Sequence, residues 1–196
     1  MTAKPYDLAL LFTGHMVDLP GRAQPRFPQY AEPAAWRAIR EAIERAKEQA
    51  RGGRIVAIAS GARGGDLLFH EACRLFGIER RMVLPFPPDV FIETSVTGVP
   101  NGGWETRFAD NWDSLSPSER EVLLPVKDDK GYALCNHRMI ALAEALASTF
   151  QIIALWDGKG GDGPGGTGEH VETVRRMGGR ADIIDANALL DGGGAR

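Results

Sequence analysis

Short apolar runs alternate with segments of helical periodicity along most of the chain. The apolar runs cover residues 6–13, 54–59, 81–86, 150–156 and 181–185. Runs of this length and composition are typical of strands that are buried on both faces of a parallel sheet. The segments with apolar residues at helical spacing cover 33–50, 66–76, 132–149 and 167–177. This alternation predicts an α/β fold, with a single doubly wound, mostly parallel Rossmann-like sheet and helices on both faces.

Residues 89–130 interrupt this alternation. Turn signals at 98–103 and 116–117 flank one short amphipathic helix. Four large apolar side chains share one face of that helix, namely Trp104, Phe108, Trp112 and Leu115. We expect the region to form an insertion over the C-terminal edge of the sheet. It would act there either as a lid or as a plain structural connection whose aromatic face belongs to the core.

Length and charge limit the classes of protein that this chain can be. Its 196 residues suit one domain, which we place at residues 1–190, with 191–196 as a flexible tail. A formal net charge of -3 gives no general attraction to nucleic acid or to an anionic membrane surface. No apolar run reaches the ~18 residues that a membrane span needs, and the first residues do not resemble a signal peptide. We therefore expect a cytoplasmic protein with neither nucleic acid nor membrane as a partner.

The cysteines and histidines do not form a metal-binding pattern. Cys73 and Cys135 lie in predicted helices, which favours buried free thiols over a disulfide. His70, His137 and His170 share no metal-ligand spacing with one another or with the cysteines. We predict no metal site and no cofactor.

The sequence places a cluster of glycines directly after the second predicted strand. This first glycine corner is Ser60-Gly-Ala-Arg-Gly-Gly-Asp66, and it contains Gly61, Ala62, Arg63, Gly64 and Gly65. Glycines at the start of a helix let backbone N–H groups approach an anion, and the helix dipole favours negative charge there. Arg63 could add a bidentate contact to a phosphate. Asp66 fits the N-cap of the following helix, or could accept a hydrogen bond from a ribose hydroxyl, and a purely structural turn is the alternative for the whole corner.

A second glycine corner follows the strand at 150–156. It runs from Asp157 to Gly168, and its last residues are Gly165, Gly166, Thr167 and Gly168. Thr167 can cap the next helix while its hydroxyl reaches a ligand. The first predicted strand also ends in Gly14-His15. Because the carboxyl ends of parallel strands meet at one edge of a sheet, we expect these three loops to converge on one crevice.

Together these segments resemble the SLOG superfamily, Rossmann-like domains related to the LOG (Lonely-guy) enzymes, also called lysine-decarboxylase-like proteins. The segments are Thr13-Gly-His15, Ser60 to Asp66 and Gly163-Pro-Gly-Gly-Thr167, and the resemblance spans residues 8–185. It implies binding of a nucleotide or nucleotide-derived small molecule, often as a signalling sensor. Its enzymatic branch hydrolyses the N-glycosidic bond of nucleoside 5'-monophosphates. Family members commonly form homodimers, and we expect the aromatic helix at 104–115 to be exposed and to offer a surface for this.

The enzymatic branch also implies two catalytic residues in this chain. Its motif Pro-Gly-Gly-x-Gly-Thr-x-x-Glu aligns with residues 164–172, so that Glu172 takes the place of the catalytic glutamate. Glu169 replaces the threonine of the motif, and its carboxylate suits a sugar hydroxyl or a base amino group better than a phosphate. The catalytic arginine would correspond to Arg138, which lies one helical turn, or ~5 Å, from the expected place.

Three functions therefore remain open. The first is a sensor that binds a nucleotide without turnover, which the substitution at Glu169 and the displacement of Arg138 favour. The second is a LOG-type phosphoribohydrolase, in which Glu172 stabilises an oxocarbenium-like centre or activates water. The third is a protein-interaction module whose glycines only form turns.

Overall fold

The computed structural model describes residues 3–160 and 165–191, and its centre is a six-stranded sheet. All strand pairs are parallel, and the strand order is β4-β3-β2-β1-β5-β6. The strands are β1 (Tyr6–Gly14), β2 (Ile55–Ala59), β3 (Glu79–Leu84), β4 (Arg120–Val122), β5 (Ala147–Trp156) and β6 (Arg180–Asp185). The order reverses at β1, where the chain crosses from β4 to β5. The sequence-based prediction of a Rossmann-like α/β sheet is confirmed.

Seven α-helices connect and cover these strands in the described part of the chain. They are α1 (Glu32–Ala50), α2 (Gly65–Leu75), α3 (Pro88–Phe91), α4 (Trp104–Asp113), α5 (Gly131–Leu146), α6 (Thr167–Arg176) and α7 (Ala186–Asp191). A 3-10 turn (Gln29–Ala31) precedes α1, and a π-helical segment (Ile92–Val96) follows α3. Buried residues of α1, α2 and α4 pack on one face of the sheet, and those of α5 and α6 pack on the other.

The side chains of β1 show why helices must cover both faces of the sheet. Leu8, Leu10 and Phe12 belong to the core on the α1 side, whereas Ala9 and Leu11 belong to the core on the α5 side. Successive side chains of a strand point to opposite faces, so a continuous apolar run must be buried on both. The apolar run at 6–13 therefore becomes the central strand, paired with β2 on one side and β5 on the other.

Region 89–130 holds more regular structure than the sequence indicates. It contains the end of α3, the π-helical segment, α4 and the edge strand β4, which extends the sheet beside β3. The sequence gives no signal for β4, because Arg120, Glu121 and Val122 form no apolar run. Strand β5 also begins earlier than predicted: Ala147 pairs with Tyr6, so α5 ends at Leu146.

The aromatic face of α4 belongs to the core. Trp104 and Phe108 are fully buried and Leu115 is nearly so, while Trp112 is half-buried and stacks on Phe108 at 6.1 Å between ring centroids. This burial agrees with the alternative of a plain structural connection, and the lid stays a prediction. Because most of this face is buried, α4 does not offer the aromatic surface that we expected for a homodimer, and the homodimer itself stays a prediction.

Both cysteines are buried and unlinked, as the sequence indicates. Across 3–160 and 165–191, no helix has the length and apolar character that a membrane crossing requires. Residues 161–164 of the second glycine corner and 192–196 of the predicted tail lie outside the described residues.

Candidate functional site

A cavity of about 660 Å³ opens at the carboxyl ends of the central strands. This volume falls in the range of small-molecule sites, and its position matches the place where ligands bind open α/β sheets, beside the strand at which the order reverses. The end of β1, the first glycine corner and the second glycine corner all contribute to its wall. The three loops thus converge on one crevice.

The cavity brings together nine of the residues proposed from the sequence. They are Gly14, His15, Ser60, Ala62, Arg63, Asp66, Gly165, Gly166 and Thr167. Five further candidates do not line it: Gly61, Gly64, Gly65, Gly168 and Glu169. Gly168 lies against the ring of Trp156, 2.9 Å from the position that a Cβ would take.

Close packing explains the glycines of the first corner. Gly64 has φ +94°, and a Cβ there would lie 2.7 Å from the backbone nitrogen of Val17. A Cβ on Gly65 would lie 2.9 Å from the ring of Phe12. A Cβ on Gly61 would lie 3.0 Å from an atom of Met82 and 3.0 Å from an atom of Phe108. The glycines therefore let the corner contact its own protein closely.

Backbone donors of the same corner are also used within the protein. The N–H of Arg63 donates to the carbonyl of Ser95 at 2.9 Å, and that of Gly65 donates to the carbonyl of His15 at 3.2 Å. The N–H of Ala62 donates to Oδ2 of Asp66 at 3.2 Å. These three donors are not available to a ligand. At the start of α2, the N–H groups of Asp66 and Leu67 have no protein acceptor among the described residues.

Arg63 is a buried cation in the cavity wall. Arg63 is 5% exposed, and its Nε donates to the carbonyl of Val17 at 3.0 Å. Within the described ranges, no carboxylate lies at ion-pair distance from it. Burial lowers the pKa of the guanidinium, which the charge of Asp18 partly offsets, but an arginine remains charged in a protein. The cavity therefore holds a positive charge that a bound anion could neutralise.

Asp66 is a buried carboxyl group in the same wall. It occupies the second position of α2, and Gly64 is the N-cap, so the expectation of Asp66 as N-cap is wrong. Its carboxylate instead closes the corner by accepting the N–H of Ala62. Burial raises the pKa of Asp66 to about 7, against the opposing effect of that hydrogen bond. At neutral pH the group is therefore present in both its protonated and its ionised form.

His15 directly follows the end of β1, and its imidazole side chain is neutral. Burial and the charge of Arg26 lower the pKa of His15, and Asp157 only partly offsets them. The N–H of Asp157 donates to Nε2 at 3.1 Å. Because Nε2 accepts this bond, its 3.2 Å approach to Oδ1 of Asp157 is not an ion pair in the neutral state. The hydrogen bond from Asp157 assigns the ring proton of neutral His15 to Nδ1.

Asp157 and Arg26 tie the two sides of the cavity together. Nε of Arg26 donates to Oδ2 of Asp157 at 3.2 Å. Burial raises the pKa of Asp157, but the N–H of Lys159 and the Arg26 guanidinium outweigh it and hold the pKa below its usual value. Since Arg26 comes from the loop after β1 and Asp157 from the end of β5, this pair fixes the loop beside the second glycine corner.

The loop after β1 forms part of the cavity wall. Asp18 accepts the N–H groups of Arg26 and Phe27 with Oδ2, at 2.8 and 2.9 Å, and its own N–H donates to the carbonyl of Phe27. Asp18 and Arg22 line the cavity. The proline-rich loop is thus closed on itself by one aspartate, the residue type that caps backbone turns most readily.

Four further lining residues were not predicted as site residues from the sequence: Ser95, Tyr132, Cys135 and Asn136. Ser95 and Tyr132 share a hydroxyl contact at 3.0 Å. The Cys135 thiol donates to the carbonyl of Val83 at 3.2 Å, and burial raises its pKa to about 12. Tyr132, Cys135 and Asn136 lie in the first turns of α5. Only tertiary packing shows that this end of α5 reaches the cavity.

The second glycine corner is held by two side chains. Nδ2 of Asn136 donates to the carbonyl of Gly165 at 2.8 Å, and the N–H of Gly165 donates to Oε2 of Glu169 at 2.8 Å. Gly166 is the N-cap of α6, so the expectation that Thr167 caps this helix is wrong. Glu169 reaches back from the first turn of α6 to the corner and does not contact the cavity. Its carboxylate also suits the positive end of the helix dipole.

Neither predicted catalytic residue reaches the cavity. The Glu172 side chain is 58% exposed and pairs with Arg175 at 2.7 Å. The Arg138 side chain is 41% exposed and pairs with Glu121 of β4 at 2.9 Å. Both make surface ion pairs, which contribute little to stability. The structure therefore brings the binding candidates together without the catalytic pair.

We expect Glu169→Ala to lower the free energy of unfolding by about 1 kcal/mol, because the Gly165 N–H loses its acceptor. Glu172→Ala is the matched control: it removes an exposed carboxylate three residues away on the same helix and should cost less than about 0.5 kcal/mol. Urea unfolding of both variants measures the difference. Equal costs would show that the contact between Glu169 and Gly165 does not stabilise the corner.

The comparisons with known proteins add no assignment, since neither family models nor curated proteins gave a match to this chain. Among residues 3–160 and 165–191, no group of three or more His, Cys, Asp or Glu side chains has an arrangement that could hold a metal ion.

Proposed function

We propose that this chain binds a nucleotide or nucleotide-derived ligand in the cavity at the carboxyl ends of β1, β2 and β5. The observation that carries the proposal is Arg63, a buried cation in the cavity wall without an ion-pair partner in the described part of the chain. Burying an unpaired charge is costly, and an anionic ligand would offset that cost. The N–H groups at the start of α2 that have no protein acceptor among the described residues also favour an anion bound at this end of the helix.

The rest of the cavity suits the uncharged parts of a nucleotide. Asp66 and Ser60 offer hydrogen-bond acceptors, and Phe91 and Tyr132 supply aromatic surface. Such a mixture of apolar surface with a few polar groups is usual for small-molecule sites. On these grounds, and on the glycine corners, we propose that the chain is a SLOG-type domain. The free, buried thiols agree with the cytoplasmic location that we propose.

The two alternatives have weaker support. A LOG-type hydrolase needs a carboxylate and an arginine at the ligand, whereas Glu172 and Arg138 pair with other residues on the surface. Release of free base from a nucleoside monophosphate would favour it nonetheless. A pure interaction module would explain the glycines as turns. It would not explain why the charge of Arg63 is buried without an ion-pair partner in the described part of the chain. We therefore propose a sensor that binds without turnover.

A ligand screen tests this proposal. The full chain is heated with AMP, ADP, GMP, GDP, cyclic AMP, NAD or ADP-ribose at millimolar concentration. We expect at least one of them to raise Tm, since a ligand at 100 times its Kd stabilises the native state by ~2.7 kcal/mol. Adenosine, which lacks phosphate, is the control and should have a much smaller effect. No shift with any of the nucleotides would favour the interaction module.

A further inference from the structure

Asp66 is a polar group that the fold buries at the cavity and leaves incompletely paired. The residue is 8% exposed and lines the cavity. Oδ2 accepts one hydrogen bond, from the N–H of Ala62. Oδ1 has no protein partner among the described residues, yet it is not sealed away from the cavity. No cation of the described residues pairs with this carboxylate.

The carboxylate and Arg63 serve different parts of the cavity. Asp66 is three positions after Arg63, so their Cα atoms are at most about 11 Å apart. The charge of Asp18, in the loop after β1, acts on Arg63, whereas the charge of Asp66 acts on Cys135 in α5. Neither Arg63 nor Asp66 shifts the pKa of the other. Arg63 therefore marks an anion-binding end of the cavity beside the loop, where its Nε donates to the carbonyl of Val17, and Asp66 marks an acceptor end beside α5.

The acceptor end needs a donor from the ligand. A buried carboxylate repels phosphate, and its pKa of about 7 shows that the protein itself does little to stabilise its charge. Hydroxyl donors would supply that stabilisation without bringing in a competing charge. In a nucleotide the group bonded directly to the phosphate is the sugar, and the base lies further away. Since the Cα atoms of Arg63 and Asp66 are at most about 11 Å apart, a phosphate at Arg63 would place the sugar hydroxyls within reach of Asp66.

We propose that Asp66 accepts hydrogen bonds from the ribose hydroxyls, so that the cavity selects ribonucleotides over 2'-deoxyribonucleotides. This inference rests on the proposed nucleotide binding and adds the class of sugar. A site that is built to bond a hydroxyl rejects the analogue that lacks it, because the buried acceptor is then left unpaired.

Titration calorimetry at pH 8 tests the proposal with AMP, ADP, GMP and GDP, each beside its 2'-deoxy counterpart. We expect the ribonucleotide that binds to do so about 10- to 100-fold more tightly than its deoxy form, the range for a hydrogen bond to a charged group. In Asp66→Asn this ratio should fall to about 3-fold or less, through weaker binding of the ribonucleotide alone. Asparagine is isosteric, and its oxygen can still accept the N–H of Ala62. Asp110→Asn, an exposed position on α4, is the matched control and should keep the ratio.

The outcomes separate this inference from the proposal beneath it. If ribo and deoxy forms bind the wild type equally, or if the preference survives in Asp66→Asn, the inference is wrong while nucleotide binding stands. If Asp66→Asn weakens AMP but not IMP, the carboxylate bonds the base amino group, and the inference is again wrong. If no nucleotide binds the wild type, the proposed function itself fails. The wild-type comparison needs no variant, so it decides even if Asp66→Asn does not fold.

Discussion

Arg63→Met is expected to remove most of the affinity for an anionic ligand. The substitution keeps the apolar stem of the side chain and removes the buried charge that faces the cavity. Losing one partner of a buried charge pair costs about 2–5 kcal/mol, which corresponds to a ~30- to 5,000-fold increase in Kd. Titration calorimetry with the nucleotide that most stabilises the wild type measures this change.

The fold should tolerate this substitution. Methionine loses the bond from Nε to the carbonyl of Val17, but it also ends the burial of an unpaired charge. We therefore expect the free energy of unfolding to change by less than about 1 kcal/mol. Arg37→Met is the control, because Arg37 is exposed on α1 and does not line the cavity. Unchanged affinity in Arg63→Met would show that the anion binds elsewhere.

Gly64→Ala is expected to destabilise the protein by about 3 kcal/mol or more. The backbone there has φ +94°, and the new Cβ would lie 2.7 Å from the nitrogen of Val17. Strain of an L-residue in this conformation costs about 1–3 kcal/mol, and the clash with a backbone atom adds to it because the loop after β1 must move. Urea unfolding of the variant measures the loss.

Gly77→Ala is the matched control for this prediction. Gly77 follows α2 with φ +65°, and a Cβ there would contact nothing within 4 Å. Gly77→Ala should therefore lower the free energy of unfolding only by the conformational cost of about 1–2 kcal/mol, since it introduces no clash. If the free energy of unfolding falls by the same amount in both variants, the clash with Val17 does not contribute to the loss in Gly64→Ala. If Gly64→Ala also loses ligand binding while it remains folded, the loop position is part of the site.

The sequence was sufficient to locate the sheet and one edge of the cavity. Apolar runs identified the strands, because a strand buried on both faces must be apolar throughout. Glycines marked the two corners, because close backbone packing excludes a Cβ, as at Gly64 and Gly165. What the glycines contact was not predictable. At Gly64 and Gly165 the near neighbours are backbone atoms of Val17 and Ala133, segments distant in sequence.

The remaining parts of the site depend on tertiary packing. Asn136 and Cys135 line the cavity only because α5 crosses the sheet with its first turns at the carboxyl edge. Asp18 gave no periodic signal, since its contacts organise an irregular loop. A motif alignment placed Glu172 in a catalytic role, but a pattern does not state whether a helix residue faces a cavity or solvent. Glu172 lies on the exposed surface of α6.

Strand β4 also bears on how the sheet meets other molecules. An edge strand with unpaired backbone groups is a template for further strands, and long apolar edges aggregate. Strand β4 spans only Arg120–Val122, and two of its three side chains are charged. Glu121 is further engaged by Arg138. An incoming strand would have to disrupt this ion pair and would gain few backbone bonds, so the sheet is protected from growing at this edge.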